Sequence, residues 1–139
     1  MKESMVNRTN GVRFEKQLCD QLFKRGWWSH NLAQNKDGQP ADIIAVKSNI
    51  AVLIDCKICE NGTFPFTRVE ENQENAMKVW ETMGNSYAYF ALKLKDEIHL
   101  FSFIRYDLMS RTEKKSLNED DIRALPTFDE IFKKIEWVM

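Results

Sequence analysis

Two neighbouring apolar segments that carry acids constrain the fold of this chain more than any other feature. Residues 41–47 and 50–57 are short and rich in Ile, Val and Ala, and Ser48-Asn49 joins them, which predicts a β-hairpin. Asp42 lies at the start of the first segment, and Asp55 and Lys57 lie at the end of the second. Because an unpaired charge buried in such a strand costs several kcal/mol, these residues need partners or a chemical role.

The two acids and the lysine indicate chemistry on a phosphate. Asp42, Asp55 and the backbone carbonyl of Cys56 supply oxygen ligands that suit Mg²⁺, for which Mn²⁺ can substitute. Such a cation lowers the pKa of water and screens phosphate charge. Lys57 shares a strand face with Asp55 and can position the water or stabilise developing charge. The pattern therefore predicts a metal-dependent nuclease. Simpler interpretations stay open: Asp42 as a cap or turn residue at the strand start, and Asp55 as a buried acid paired with Lys57.

Glu15 lies on the apolar side of the first predicted helix. Helical periodicity over residues 10–25 groups it with Phe14, Leu18 and Leu22, Asn10 can cap the start, and Gly26 is placed to end the helix. One interpretation directs the Glu15 carboxylate towards Asp42 and Asp55 as an outer metal or water contact. The other lets it reach solvent at the boundary of the core.

The rest of the chain predicts an α/β fold with a mixed sheet flanked by helices. Strands are expected at residues 27–32, 41–47, 50–57, 87–94 and 97–106, and helices at residues 10–25, 68–83 and 128–137. The predicted order is α-β-β-β-α-β-β-α. A length of 139 residues predicts one domain, 1–139, with residues 1–9 expected to be flexible.

Composition limits the classes of partner and compartment. Twenty basic and 21 acidic residues give a net charge of −1, so contacts with DNA must come from a local patch. The sequence predicts no signal peptide and no membrane segment. Three cysteines fit free thiols in a reducing cytoplasm. With only five glycines and no glycine-rich phosphate loop, no nucleotide cofactor is expected.

These motifs resemble a known superfamily. Pro40-Ala41-Asp42 followed by Asp55-Cys56-Lys57 is similar to the signature of the PD-(D/E)xK nucleases, and Glu15 matches the acid on their first helix. The resemblance covers residues 11–94 and implies a restriction-endonuclease-like core. Within the superfamily, the Phe64-Pro65 pair before a helix that bears Gln73 resembles RecU-type Holliday junction resolvases of Gram-positive bacteria and phages.

The resemblance implies specific roles. Asp42, Asp55 and Lys57 would be the catalytic core, Glu15 would assist metal binding, and Gln73 would position the metal or phosphate. A homodimer would cut a four-way junction symmetrically, in a bacterial cytoplasm or a phage-infected host. Two departures stand out: Asp55 replaces the usual glutamate, and residues 58–68 are too few for the long stalk of those resolvases.

Two further hypotheses concern DNA contacts and the substrate. The basic residues proposed as DNA contacts are Arg13, Lys16, Lys36 and Arg68, the last at the expected start of the second helix; the alternative is a solvated surface. A nuclease for linear, nicked or flap DNA is the alternative within the same class. The alternative from another class is a non-catalytic DNA- or protein-binding module that keeps the fold.

Overall fold

A computed structural model describes the backbone of residues 2–32 and 41–139 and the side chains of residues 9–32 and 41–139. The first elements in chain order are helix α1 (Lys2–Lys24), strands β1 (Trp28–Asn31), β2 (Ile43–Lys47), β3 (Ile50–Ile58) and β4 (Phe64–Pro65), a 3₁₀ turn (Phe66–Arg68) and helix α2 (Glu71–Thr82). The remaining elements are strands β5 (Tyr87–Leu94) and β6 (Glu97–Ser102), helix α3 (Phe103–Ser110), strand β7 (Ser116–Leu117), and helices α4 (Glu119–Arg123) and α5 (Phe128–Trp137).

The main sheet has five strands in the order β1-β2-β3-β5-β6. Strand β3 pairs in parallel with β5, and the other neighbours are antiparallel. The predicted mixed sheet and the predicted β2–β3 hairpin are therefore confirmed. Ser48 and Asn49 form its turn with φ angles of 49° and 71°, the left-handed geometry of tight two-residue hairpins. Strands β4 and β7 form a second, two-stranded sheet.

Hydrophobic cores lie on both faces of the main sheet. Phe14, Leu18 and Leu22 of α1 pack with Ile54 of β3 on one face, four residues apart as an amphipathic helix requires. Helix α5 joins this core. Helices α2, α3 and α4 form the other core, which includes Leu53 of β3. Because successive strand residues point to opposite faces, Asp55 follows Leu53 towards α2.

Helix α1 ends as the sequence predicts. Gly26 has a φ of +87°, and the Trp27 N–H donates to the Leu22 carbonyl at 2.9 Å, which is the glycine-ended C-cap pattern. Its start differs, because α1 begins at Lys2 and not at Asn10. The flexibility expected of residues 1–9 stays a prediction. No helix of the described part of the chain is long and apolar enough to span a bilayer.

Two further element boundaries were predicted wrongly. The strand expected over residues 97–106 ends at Ser102, whose hydroxyl accepts from the Arg105 N–H and caps α3. The second predicted helix begins at Glu71, after a separate 3₁₀ turn that contains Arg68. The expected position of Arg68 at the start of α2 is therefore wrong.

Candidate active site

The carboxyl-terminal part of β3 places an acid and a base side by side. Asp55 has an exposure of 0%, and its Oδ2 lies 3.2 Å from Lys57 Nζ. The lysine side chain is 12% exposed, so it reaches the surface while the acid does not. Burial raises the pKa of Asp55 to about 8, with Lys57 lowering it and Asp42 raising it. The predicted proximity of Asp55 and Lys57 is confirmed.

Gln73 connects this pair to α2. Its Nε2 donates to Asp55 Oδ1 at 3.1 Å, and its Oε1 accepts from Lys57 Nζ at 3.2 Å. The same oxygen accepts from the Glu70 N–H at 3.3 Å in the capping box of α2. Since the oxygen must face two donors, the amide nitrogen is directed to Asp55. The helix start and the site therefore share one hydrogen-bond network.

Asp42 reaches the same strand through the backbone. Its Oδ2 accepts from the Cys56 N–H at 2.7 Å, and its own N–H donates to the Ile54 carbonyl at 3.0 Å. Asp42 is buried and lies immediately before β2. These bonds hold its carboxylate beside Asp55, close enough for Asp42 to raise the pKa of Asp55.

Glu15 approaches from the α1 side of the sheet. Burial raises the pKa of its carboxyl to about 7, the Asp42 carboxylate raises it further, and a hydrogen bond with Asn31 lowers it. Glu15 therefore lies near enough to Asp42 for their charges to interact, and its side chain is only half-buried.

The carboxylate oxygens of this cluster suit a divalent cation as a partner. Asp55 Oδ2 is buried and accepts no hydrogen bond among the described residues, although Lys57 Nζ is nearby. A buried acceptor without a donor is costly, and cation coordination would satisfy it. No group of three His, Cys, Asp or Glu side chains converges on one point in residues 9–32 and 41–139.

A groove opens directly beside these residues. It has a volume of about 420 Å³ and runs from Cys56 past Gly11 to the loop after β3, where Asn61, Thr63 and Arg68 line it. Gly11 lies on α1 four residues before Glu15, or about 6 Å along the helix axis. The groove therefore reaches Cys56, the residue whose N–H holds Asp42.

A model of a known protein family matches almost the whole chain. The model described as archaeal Holliday junction resolvase (Hjc) matches residues 6–137. The chain belongs to the Hjc family. That family lies within the PD-(D/E)xK nuclease superfamily, so the predicted superfamily is confirmed. The narrower resemblance to RecU-type resolvases and a phage or Gram-positive origin receive no support, because the matching family is archaeal.

Two Hjc relatives show the extent of the similarity. The crossover junction endodeoxyribonuclease Hjc of Sulfolobus acidocaldarius is 25% identical over 137 residues, which cover 95% of this chain and 92% of the relative. The structure of Hjc from Archaeoglobus fulgidus, a Holliday junction resolvase, superposes with a TM-score of 0.66 at 24% identity, covering 88% of this chain and 94% of that one. This likeness confirms the predicted restriction-endonuclease-like fold.

The residues predicted to contact DNA do not form one cluster. Arg13 and Lys16 are exposed on α1, where they line a shallow surface groove with Lys24. Arg68 lines the other groove, as Cys56 does. Lys36 and the motif residue Pro40 lie outside the described residues.

Sequence reasoning missed three contributors to this Hjc-family site. Glu70 caps α2 and orients Gln73, and the Cys56 N–H holds Asp42, a bond that no pattern in the sequence signals. Gly11 forms part of the groove wall. Gln73 fits the third helical position of a capping box, but Glu70 is not one of the usual capping residues, so the sequence carries only half of that pattern.

Proposed function

We propose that this chain is a metal-dependent endonuclease that cuts four-way DNA junctions, with Asp42, Asp55, Lys57, Gln73 and Glu15 as its active site. The observation that carries the proposal is the buried Asp55 carboxylate, which is bonded to Gln73 and paired with Lys57, while its Oδ2 accepts no hydrogen bond among the residues that the structure describes. Membership of the Hjc family supports DNA hydrolysis and a branched substrate.

The proposed cofactor is Mg²⁺, with Mn²⁺ as a substitute. Asp42 and Asp55 would hold it with the Cys56 carbonyl, and Glu15 would contact it directly or through water. When bound, the ion lowers the pKa of water and neutralises charge on the scissile phosphate. Deprotonation of Glu15 and Asp55, whose pKa values are both raised, would accompany binding because a ligand must give up its proton.

Lys57 and Gln73 supply the remaining chemistry. The Lys57 ammonium has three N–H donors, and Asp55 and Gln73 lie close enough to orient it. From that position it can stabilise the charge that develops on the phosphate oxygens. Gln73 fixes Asp55 and Lys57 relative to one another, so its role is to position them. Asp42 is held by the Cys56 N–H and needs no rearrangement to act.

The working unit is proposed to be a homodimer, because a four-way junction presents two equivalent strands and a two-fold pair of sites can cut both. The phenylalanines of the carboxy-terminal region, Phe101, Phe103, Phe128 and Phe132, are buried within the chain, which leaves them unavailable for an interface. Val79 of α2 and Met83, the residue that caps its end, are exposed and lie four residues apart. We place the dimer contact on this side of α2.

The proposed function is tested by cleavage of a labelled four-way junction beside linear duplex and a flap, in Mg²⁺ and in Mn²⁺. Asp55→Ala is compared with Asp96→Ala, which removes an exposed acid in the turn between β5 and β6. We expect paired symmetric cuts in the junction, lost with Asp55→Ala and retained with Asp96→Ala. Sedimentation velocity on the same samples gives the oligomeric state.

Other outcomes separate the alternatives. If the chain cuts linear DNA or flaps and Asp55→Ala abolishes this cutting, the proposed active site stands but the proposed junction substrate is wrong. Junction binding without cutting by the unmodified chain in either metal would point to a binding module. A monomer that cuts only one strand at a time would overturn the proposed dimer.

A further inference from the structure

Gly11 lies in the interior of α1, where a glycine lowers the stability of the helix. In a helix interior, glycine is less favourable than alanine by about 0.5–1 kcal/mol. Packing does not explain its presence, because a Cβ built on Gly11 meets no atom within 4 Å among the described residues. The φ angle of Gly11 is not positive, so the backbone conformation does not require glycine either.

The open space beside Gly11 is the groove that begins at the active site. Cys56, whose N–H holds Asp42, lines this groove, and so does Arg68. A side chain at position 11 would project into this space. With a volume of about 420 Å³, the groove is within the range of about 300–1,000 Å³ typical of sites for one small ligand, and it is too small for a duplex.

Arg68 gives the groove an oriented cation. Its Nη1 donates to the Ile58 carbonyl at 2.7 Å, which fixes one end of the guanidinium on β3. A guanidinium carries five N–H donors, so others stay available to an anion. Asn61 and Thr63 add neutral polar groups to the same wall, and Glu60 is the one acid among the groove residues described. Guanidinium, hydroxyl and amide groups together suit a phosphodiester.

We propose that this groove binds the sugar–phosphate backbone of the cleaved strand next to the scissile phosphate, and that Gly11 lets the strand pass against α1. The inference rests on the proposed function and extends it by assigning the path of the strand. Arg68 holds a phosphate in the groove, and the missing side chain at position 11 provides the clearance. Glycine at position 11 therefore lowers the stability of α1 but leaves room for the DNA strand in the groove.

The test compares Gly11→Ala and Gly11→Leu with Val12→Leu. Val12 is the next residue on α1, is 56% exposed and lines neither groove among the described residues. Affinity for a labelled four-way junction is measured by fluorescence anisotropy in EDTA, cleavage is measured in Mg²⁺, and thermal unfolding is followed for each variant. Both Gly11 variants should melt at a higher temperature than the unmodified chain, since both residues favour helix.

Only the bulky variant, Gly11→Leu, should bind the junction more weakly. We expect Gly11→Leu to bind about tenfold more weakly, which corresponds to about 1.4 kcal/mol, and to show a raised KM for cleavage. Gly11→Ala and Val12→Leu should stay within about threefold of the unmodified chain, a difference below 1 kcal/mol. A variant that is more stable and yet binds less well cannot be explained by misfolding.

Arg68→Ala provides a second, independent measurement, with Arg105→Ala on the exposed side of α3 as the matched control. Loss of one phosphate contact should lower the slope of log affinity against log salt by about one. Arg105→Ala should leave the slope unchanged.

The outcomes distinguish this inference from the proposed function. If the unmodified chain binds and cuts the junction, and Gly11→Leu does so equally well, the strand does not follow the groove and the proposed function stands. An unchanged salt slope for Arg68→Ala would also overturn the phosphate contact. If the unmodified chain neither binds nor cuts the junction, both proposals fail.

Discussion

The two sides of the sheet meet the active site in different ways. On the α2 side, Gln73 bonds to Asp55 and Lys57 and also caps the helix, so all three side chains are held in place. On the α1 side, Glu15 is half-buried and has a carboxyl pKa raised to about 7. The α2 side is therefore organised by hydrogen bonds within the protein, while the α1 side presents an acid whose carboxyl pKa is raised by burial and by Asp42.

This difference indicates how the chemistry is divided. Rigid positioning suits a group that must stabilise charge in the transition state, which is the role proposed for Lys57. An acid with a raised pKa suits a metal ligand that exchanges a proton for an ion, which is the role proposed for Glu15. Variants on the α2 side should therefore lower the rate most, and variants on the α1 side should mainly change metal dependence.

The largest effect is expected for Lys57→Met on the α2 side. This variant keeps an unbranched side chain but removes the charge that is paired with Asp55. We expect junction cleavage to fall by about 10²–10³-fold, the usual cost of losing a group that stabilises transition-state charge. The check is a single-turnover cleavage rate in saturating Mg²⁺, with Lys95→Met in the exposed β5–β6 turn as control. A rate within threefold of the unmodified chain would remove Lys57 from the mechanism.

Gln73→Ala should have the next largest effect. It removes the donor to Asp55 Oδ1 and the acceptor of Lys57, and loss of an orienting residue beside a metal site typically costs about 10–100-fold. The unfolding free energy should also fall by about 1–3 kcal/mol, because buried polar groups lose partners. Lys78→Ala, at an exposed position of the same helix outside the proposed dimer contact, controls for helix effects. Equal rates for the two variants would show that α2 does not organise the site.

Glu15→Gln tests the α1 side. We expect about a tenfold loss in apparent Mg²⁺ affinity, at the lower end of effects seen around metal sites, with a smaller change in the rate at saturating metal. A metal titration of the cleavage rate measures both quantities. If the saturating rate fell as far as with Lys57→Met while Mg²⁺ affinity stayed the same, Glu15 would belong with the catalytic groups instead.

The smallest effect concerns pH and thermal stability without DNA. The pKa of Glu15 is about 7 in the folded protein and about 4.3 in an unfolded chain. The folded state therefore binds more protons between these values, and the metal-free free energy of unfolding should fall as pH rises from about 4 to about 7. Mn²⁺ competes with protons, so the increase in Tm on adding Mn²⁺ should be larger at pH 8 than at pH 6. Glu15→Gln should weaken this dependence, and an increase that is equal at both pH values would contradict it.

The sequence predicted those parts of the fold and site that depend on near neighbours. The β2–β3 hairpin follows from Ser48-Asn49 between two apolar runs, and the Asp55–Lys57 pair follows from strand periodicity. Strand β5 and helix α5 also have their predicted bounds. In each case the signal lies within one element or one turn.

The parts that were missed depend on distant residues or on competing local signals. The β4–β7 pairing joins Phe64 to Leu117, which no local pattern links. The run from Phe101 to Tyr106 is apolar enough to continue a strand, but the Ser102 cap begins a helix there. The position of Gly11 on a groove could not be read from sequence, because the opposite wall comes from the loop that carries Thr63.

The orientation of the Gln73 amide gives the site a built-in spectroscopic probe. A flip that exchanged its oxygen and nitrogen would break the contacts with Asp55, Lys57 and Glu70 together. Its two amide protons should therefore give separate, slowly exchanging NMR signals, one of which senses the charge on Asp55. Following that pair of resonances in the absence of DNA would report proton loss from Asp55 and the entry of a cation. Because Gln73 lies on α2, the same resonances would also report the folding of that helix.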